Sequence, residues 1–143
     1  LNTSEPPLDE VEVRKALAYA TPTDQILDAV LFGNGQVANS QIPRVKYWDE
    51  SVEAYPYDIE QAQASLAESS VPDGFDIELQ IPSGDAVEKQ TAEIIKQEWA
   101  KIGVNVTIAP GDFGTIFGDW LSGKGGQAAL QDFVISGGRS AAF

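Results

Sequence analysis

The stretch Phe75-Asp76-Ile77-Glu78-Leu79-Gln80-Ile81 alternates strictly between apolar and polar side chains. Successive side chains of a strand point to opposite faces, so this segment reads as a strand with one wet face. Asp85 then opens a run to about Ile102 with helical period. Val87, Thr91, Ile94, Ile95, Trp99 and Ile102 are expected to face inward, with Glu88, Lys89, Glu93, Lys96, Glu98 and Lys101 outward. Gly103 ends this helix, and Val104, Val106 and Ile108 alternate with Asn105 and Thr107 as a second strand. Two strands joined through a helix pair in parallel, because a parallel pair needs a crossover that long.

Working outward, Asp112 caps a short helix carrying Ile116, Phe117, Trp120 and Leu121. Gly123, Gly125 and Gly126 close it, and residues from about Ala128 to Ile135 read as a third strand. Upstream, Val13, Leu17 and Ala20 fall three or four apart and predict a helix from Val11 to Ala20. Thr21-Pro22-Thr23-Asp24 signals a fresh helix start. Thr21 is the expected cap, Pro22 the first helical residue, and Asp24 complements the N-terminal dipole. Ile26, Leu27, Val30 and Leu31 form its apolar stripe, and Gly33 ends it. Residues 34–57 form a long irregular segment with Tyr47, Trp48, Tyr55 and Tyr57, after which Asp58 caps a helix to about Glu68. The fold class is α/β, a mixed, mostly parallel sheet flanked by helices.

At 143 residues the chain is expected to form a single domain, 1–143, and 43% hydrophobic residues suffice for a core. Nine lysines and arginines face 22 acids, a net charge of −13, which excludes a nucleic-acid partner and electrostatic adsorption to anionic lipid. His, Cys and Met are absent. That removes the Ser–His–Asp triad, the thiol nucleophile, disulfides and the usual transition-metal sites. A chain opening on Leu1 without any Met reads as a piece of a longer protein. No apolar run approaches the roughly 18 residues of a membrane-spanning helix.

Gly118-x-x-x-x-Gly123-Lys124-Gly125 nearly spells a phosphate-binding loop, but Gly125 stands where Ser or Thr is needed and the glycines follow a helix. A helix-to-strand turn is the plainer reading. Gly33-Asn34-Gly35 likewise follows a helix and reads as its terminal turn, with backbone amides open to a ligand as the alternative. Nothing singles out a catalytic pair among Asp73, Asp76, Glu78 and the lysine-interleaved Glu88, Glu93 and Glu98. The four aromatics of the long segment either pin it down or stack on a solute. Arg139 follows the apolar run Phe133-Val134-Ile135 and Ser136-Gly137-Gly138. Ligands of open α/β sheets bind just past the strand carboxyl ends, where a guanidinium can hold a carboxylate through two parallel hydrogen bonds. The alternative is a surface arginine.

Taken together these segments resemble the family 5 extracellular solute-binding proteins of ABC importers, the peptide, nickel and opine class. Residues 1–20, LNTSEPPLDEVEVRKALAYA, are similar to the family's strand, Pro-Pro and D-x-x-V-R-x-A-L helix. Leu31 to Pro43 resembles its Gly-x-Gly-x-x-Ala-x-x-x-Ile-Pro loop, and Tyr55 to Ala62 its Tyr-Asp-Pro-Glu-x-Ala helix start. Pro72-Asp73-Gly74-Phe75 and Ile102-Gly103-Val104-Asn105-Val106 also match. The resemblance implies a type II periplasmic-binding-protein-like lobe, most of the second lobe of a two-lobed receptor that closes on its ligand. It departs from many members in two places. Gly137-Gly138 replaces a Gly-Trp pair that lines the cleft, and Ser140-Ala141-Ala142-Phe143 offers no acid to hold a peptide amino terminus. Gly138-Arg139 looks more like a subgroup with Gly-Arg here.

The resemblance thus implies a non-enzymatic lobe, without cofactor or metal, capturing a small solute, with an oligopeptide or dipeptide favoured. Its partners would be the missing first lobe and ABC permease subunits, in an extracytoplasmic setting, possibly with a lipid anchor elsewhere in the protein. Two cleft segments are expected. The first comprises backbone amides around Gly33 and Gly35 with Asn34, Asn39 and Ser40. The second comprises Ser136, Gly138, Arg139 and Phe143. Two rivals stay open: a sensor or peptide-holding interaction domain on the same fold, and a fragment of a carboxylate-based α/β enzyme.

Overall fold

The computed structural model describes residues 1–38 and 51–130. The elements run α1 (Val11–Tyr19), α2 (Thr23–Leu31), α3 (Ile59–Ala67), β1 (Asp76–Pro82), α4 (Ala86–Ala100), β2 (Asn105–Gly111), α5 (Phe113–Leu121) and β3 (Ala128–Ala129). Among the described residues the sheet has three strands in the order β2-β1-β3, and both pairings are parallel. The register sets Ile77 beside Val106 and Leu79 beside both Ile108 and Ala128. Of the third strand expected from Ala128 to Ile135, residues 131–135 lie outside the described residues.

The alternation in β1 does what a period of two requires. Ile77, Leu79 and Ile81 are buried, and they share one core with Ala92, Ile95 and Trp99 of α4. Gln80 points the other way, where its Oε1 accepts a hydrogen bond from Trp120 Nε1 of α5 at 3.1 Å. α5 therefore covers the second face at Gln80, while Asp76 and Glu78 on that face stay exposed. Leu8, Val13 and Leu17 bring α1 into the same core, and Ala62 and Leu66 bring α3.

Three helices, α3, α4 and α5, carry an aspartate as N-cap. Asp58 accepts from Gln61 N, Asp85 from Val87 N and Glu88 N, and Asp112 from Thr115 N. These bonds satisfy amides that a helix start leaves without partners. At the opposite end of the sheet, Gly74 (φ 101°) and Gly103 (φ 80°) lie back to back. A Cβ on Gly74 would sit 2.0 Å from Gly103 O, so only glycine fits that crossing.

Four expectations are corrected. Thr21 does not cap α2, whose N-cap is Pro22 without a side-chain bond. The Thr21 hydroxyl instead donates to Leu17 O at 2.7 Å and accepts from Trp99 Nε1 at 3.0 Å. It thereby serves a carbonyl near the end of α1 and the indole of the buried Trp99. Glu88 is not on the outer face of α4 but is 3% exposed, in the first turn of the helix, where it lines a cavity with Pro82 to Asp85 and Phe113. Leu31 lies 39% exposed at the end of the α2 stripe, where the chain turns left-handed at Phe32 (φ 52°). Residues 1–10 form turns rather than the strand seen in the resemblance, tied to the sheet by Asn2 N donating to Gln127 O at 2.8 Å.

Candidate functional site

All strands of a parallel sheet point their carboxyl ends to the same edge, and there the chain must turn back into helices. At that edge β1 runs into Pro82-Ser83-Gly84-Asp85 and β2 into Gly111-Asp112-Phe113. Ser83 N donates to Gly111 O at 2.7 Å, locking the two turns together. Between them opens a shallow cavity of about 340 Å³ lined by Pro82, Ser83, Gly84, Asp85, Glu88 and Phe113. Open α/β sheets hold ligands at this edge.

The lining combines a hydroxyl, two carboxyl groups and an aromatic face. The Asp85 carboxyl is committed to the amides of Val87 (2.8 Å) and Glu88 (3.0 Å), and Glu88 occupies the third position of the same helix. Beside the cavity, Asp112 accepts from Thr115 N at 2.9 Å and Thr115 Oγ1 at 3.0 Å. The Thr115 amide, followed by its hydroxyl, holds the Asp112 carboxyl below its ordinary 3.8. Phe113 stays 46% exposed and stacks parallel to Phe117 at 5.8 Å. Such a lining suits hydrogen bonding and stacking against a solute.

The turn Gly33-Asn34-Gly35 is the terminal turn of α2, the plainer of the two readings, and its amides bond locally. Gly33 N donates to Leu27 O at 3.2 Å, Asn34 N to Leu31 O at 2.8 Å and Gly35 N to Gly33 O at 3.1 Å. All three are spent on closing the helix, which leaves the exposed Asn34 side chain as the polar group this turn presents. Among the described residues no hydrogen bond joins this turn to the cavity lining. Asn39, Ser40, Ser136, Gly138, Arg139 and Phe143 lie outside the described residues, as do Tyr47 and Trp48.

The near-phosphate-loop glycines form the expected turn. Gly123 N and Lys124 N donate back to Trp120 O (3.2 Å) and Asp119 O (2.8 Å), which terminates α5. Tyr55 packs edge-on against Tyr19, with centroids 5.0 Å apart, while the Tyr57 hydroxyl hydrogen-bonds Glu98 and receives Lys101 Nζ at 3.3 Å. Both therefore pin the irregular segment to α1 and α4. Sequence reasoning missed Ser83, Asp85, Glu88 and Phe113 as site residues. The usable signal was that Ser83, Asp85 and Phe113 lie just after a strand's carboxyl end.

A parallel sheet flanked by helices, with a cavity at the strand carboxyl ends and turns that touch there, is an α/β layer architecture. The family model of the bacterial extracellular solute-binding proteins, family 5, middle part, matches residues 1–135, and the chain belongs to that family. A heme-binding protein A of Haemophilus influenzae is 39% identical over 72% of this chain and 20% of its own length. A dipeptide-binding protein of Escherichia coli is 38% identical over 79% of this chain and 22% of its own length. The chain thus spans about a fifth of the curated relatives it matches. The periplasmic binding protein DppA of Helicobacter pylori superposes with a TM-score of 0.82 at 24% identity. That match covers 90% of this chain and 25% of DppA, and it shows the shared fold. The chain has the type II periplasmic-binding-protein architecture.

Proposed function

We propose that this chain is most of one lobe of a two-lobed receptor, and that it captures a small solute outside the cytoplasm for an ABC importer. The observation that carries the reading is the family match over nearly the whole chain, combined with a polar cavity at the strand carboxyl ends. A short peptide is the favoured solute, because the dipeptide-binding relative shares 38% of residues with this lobe. The solute sits between this lobe and a first lobe, and closure of the two is the working motion. Transfer to permease subunits follows from reopening, with no covalent step. The solute contacts from this lobe are Ser83, Glu88 and Phe113, the side chain of Asn34, and the proposed second segment Ser136, Gly138, Arg139 and Phe143, with Asn39 and Ser40 completing the first.

Calorimetric titration with the dipeptide Ala-Ala tests the reading. The full-length protein is expected to bind it, and the 143-residue chain alone to bind at least about 100-fold more weakly, since the other half of the contacts is missing. Equal affinity for the isolated chain would contradict a shared cleft.

A further inference from the structure

The turn that ends α2 contains Asn34-Gly35, a dipeptide with a reaction of its own. The backbone nitrogen that follows an asparagine can attack the side-chain amide carbon. Glycine in the following position leaves that approach open, because it carries no Cβ and moves freely. The asparagines of the chain are Asn2, Asn34, Asn39 and Asn105, and only Asn34 precedes a glycine. We propose that Asn34 is a site of spontaneous hydrolytic modification, converted to aspartate and isoaspartate through a cyclic imide with Gly35, with water as the co-reactant. The inference stands apart from the receptor reading and holds whatever solute the protein takes.

The fold leaves this pair open and closes the competing ones. Asn34, Gly35 and Gln36 are all exposed, and the Asn34 side chain makes no hydrogen bond among the described residues. Gly35 N donates to Gly33 O at 3.1 Å, a bond spanning two residues in the turn beyond a helix end, where helices fray. Asn2, in contrast, donates from Nδ2 to Gly126 O at 3.2 Å and accepts from Ser4 N at 3.1 Å. Asn105 Nδ2 donates to Asp76 Oδ1 at 3.0 Å, and the residue after it is the buried, β-branched Val106 of β2. Asp73-Gly74 could form the same imide from an aspartate. It is clamped instead, with Gly74 N donating to Val71 O at 3.0 Å and its Cα packed against the Gly103 crossing.

The step balances without an oxidant or reductant. The Gly35 nitrogen loses its proton and bonds to Asn34 Cγ. The Cγ–Nδ2 bond breaks, and ammonia leaves carrying that proton. Water then opens the imide. Opening at Cγ gives aspartate, and opening at the main-chain carbonyl gives isoaspartate, with the chain now running through Cγ. One water enters, one ammonia leaves, and a carboxylate replaces a neutral amide. That charge arises at the C-terminal end of α2, the negative end of the helix dipole. The Asp28 carboxylate already stands there, its Oδ1 3.7 Å from where a Cβ on Gly33 would lie. The modified turn therefore holds α2 less firmly.

The test incubates the native full-length protein in mildly alkaline buffer made with oxygen-18 water, then digests it and follows each asparagine peptide by mass spectrometry. The Asn34 peptide is expected to take up labelled oxygen and to split into aspartate and isoaspartate forms. Its conversion should run at least about tenfold faster than that of the Asn2 and Asn105 peptides. An Asn34 peptide that stays unlabelled overturns the proposal, as does conversion of Asn105 at the same rate. Asn34→Gln should abolish the acidic form that accumulates on native isoelectric focusing, and its persistence in that variant would place the modification elsewhere. Asn34→Asp installs one product directly and is expected to melt below the parent protein. Melting at or above it would contradict the stated cost to α2.

Discussion

Gly74 and Thr21 show how much single side chains decide here. Gly74→Ala puts a methyl 2.0 Å from the Gly103 carbonyl oxygen at a φ of 101°, so backbone must move on both sides of the crossing. Urea denaturation should show a loss above about 3 kcal/mol. Gly84→Ala has the same backbone problem (φ 91°) but open space around it, and should cost only about 1–2 kcal/mol. Equal losses would mean that the crossing is looser than it stands here. Thr21 was legible as a cap from its type and its neighbour Pro22, yet its hydroxyl serves Leu17 and Trp99. A local rule could not anticipate this, because the competing acceptor and donor come from a preceding helix and from a residue 78 positions away. Arg139, proposed to hold a solute carboxylate, predicts at least a tenfold loss of Ala-Ala affinity in Arg139→Ala of the full-length protein, about 1.4 kcal/mol. Unchanged affinity would remove it from the site.

Among the elements, helix starts are the most legible feature. Asp58, Asp85 and Asp112 each precede an apolar-periodic run and each caps it. Asp85→Ala removes two amide acceptors from α4 and should cost about 1 kcal/mol, read as a shift in the chemical midpoint at constant slope. The Asp112 cap adds a pH dependence. Its carboxyl titrates lower folded than its ordinary 3.8, so its stabilisation is complete above that value and is lost as pH falls through the lower folded value. Asp112→Asn keeps an acceptor without the charge, and its stability profile should run flatter than that of the parent protein below about pH 3.8. Parallel profiles for the two proteins would contradict this assignment. The strands were legible because one face is wet, and α4 because its period is long. Glu88 was misplaced because charge interleaved with lysine marks a solvated face only in the middle of a helix. In the first turn Glu88 sits beside the β1–α4 turn and Phe113 instead.

For the molecule as a whole, order and spacing carried more than any single motif. The alternation of strand and helix predicted the parallel sheet, and weak motifs in the right sequence pointed to the family that the chain belongs to. The site was less legible. Gly33-Asn34-Gly35 was legible as a helix-terminal turn, and its amides bond within α2 and the turn itself. The cavity went unread because Ser83 and Glu88 come from the β1–α4 turn and Phe113 from the β2–α5 turn, and only the paired strands bring the two turns together. The central claim is that this lobe is half of a clamp on a small organic solute. The most direct measurement is to denature the full-length protein, purified from its native setting, and identify what it releases by mass spectrometry. The account predicts a short peptide or another metal-free, carboxylate-bearing solute at close to one equivalent. Release of haem or a metal chelate bonded through this lobe would contradict it, as would a protein that releases nothing and binds no added solute.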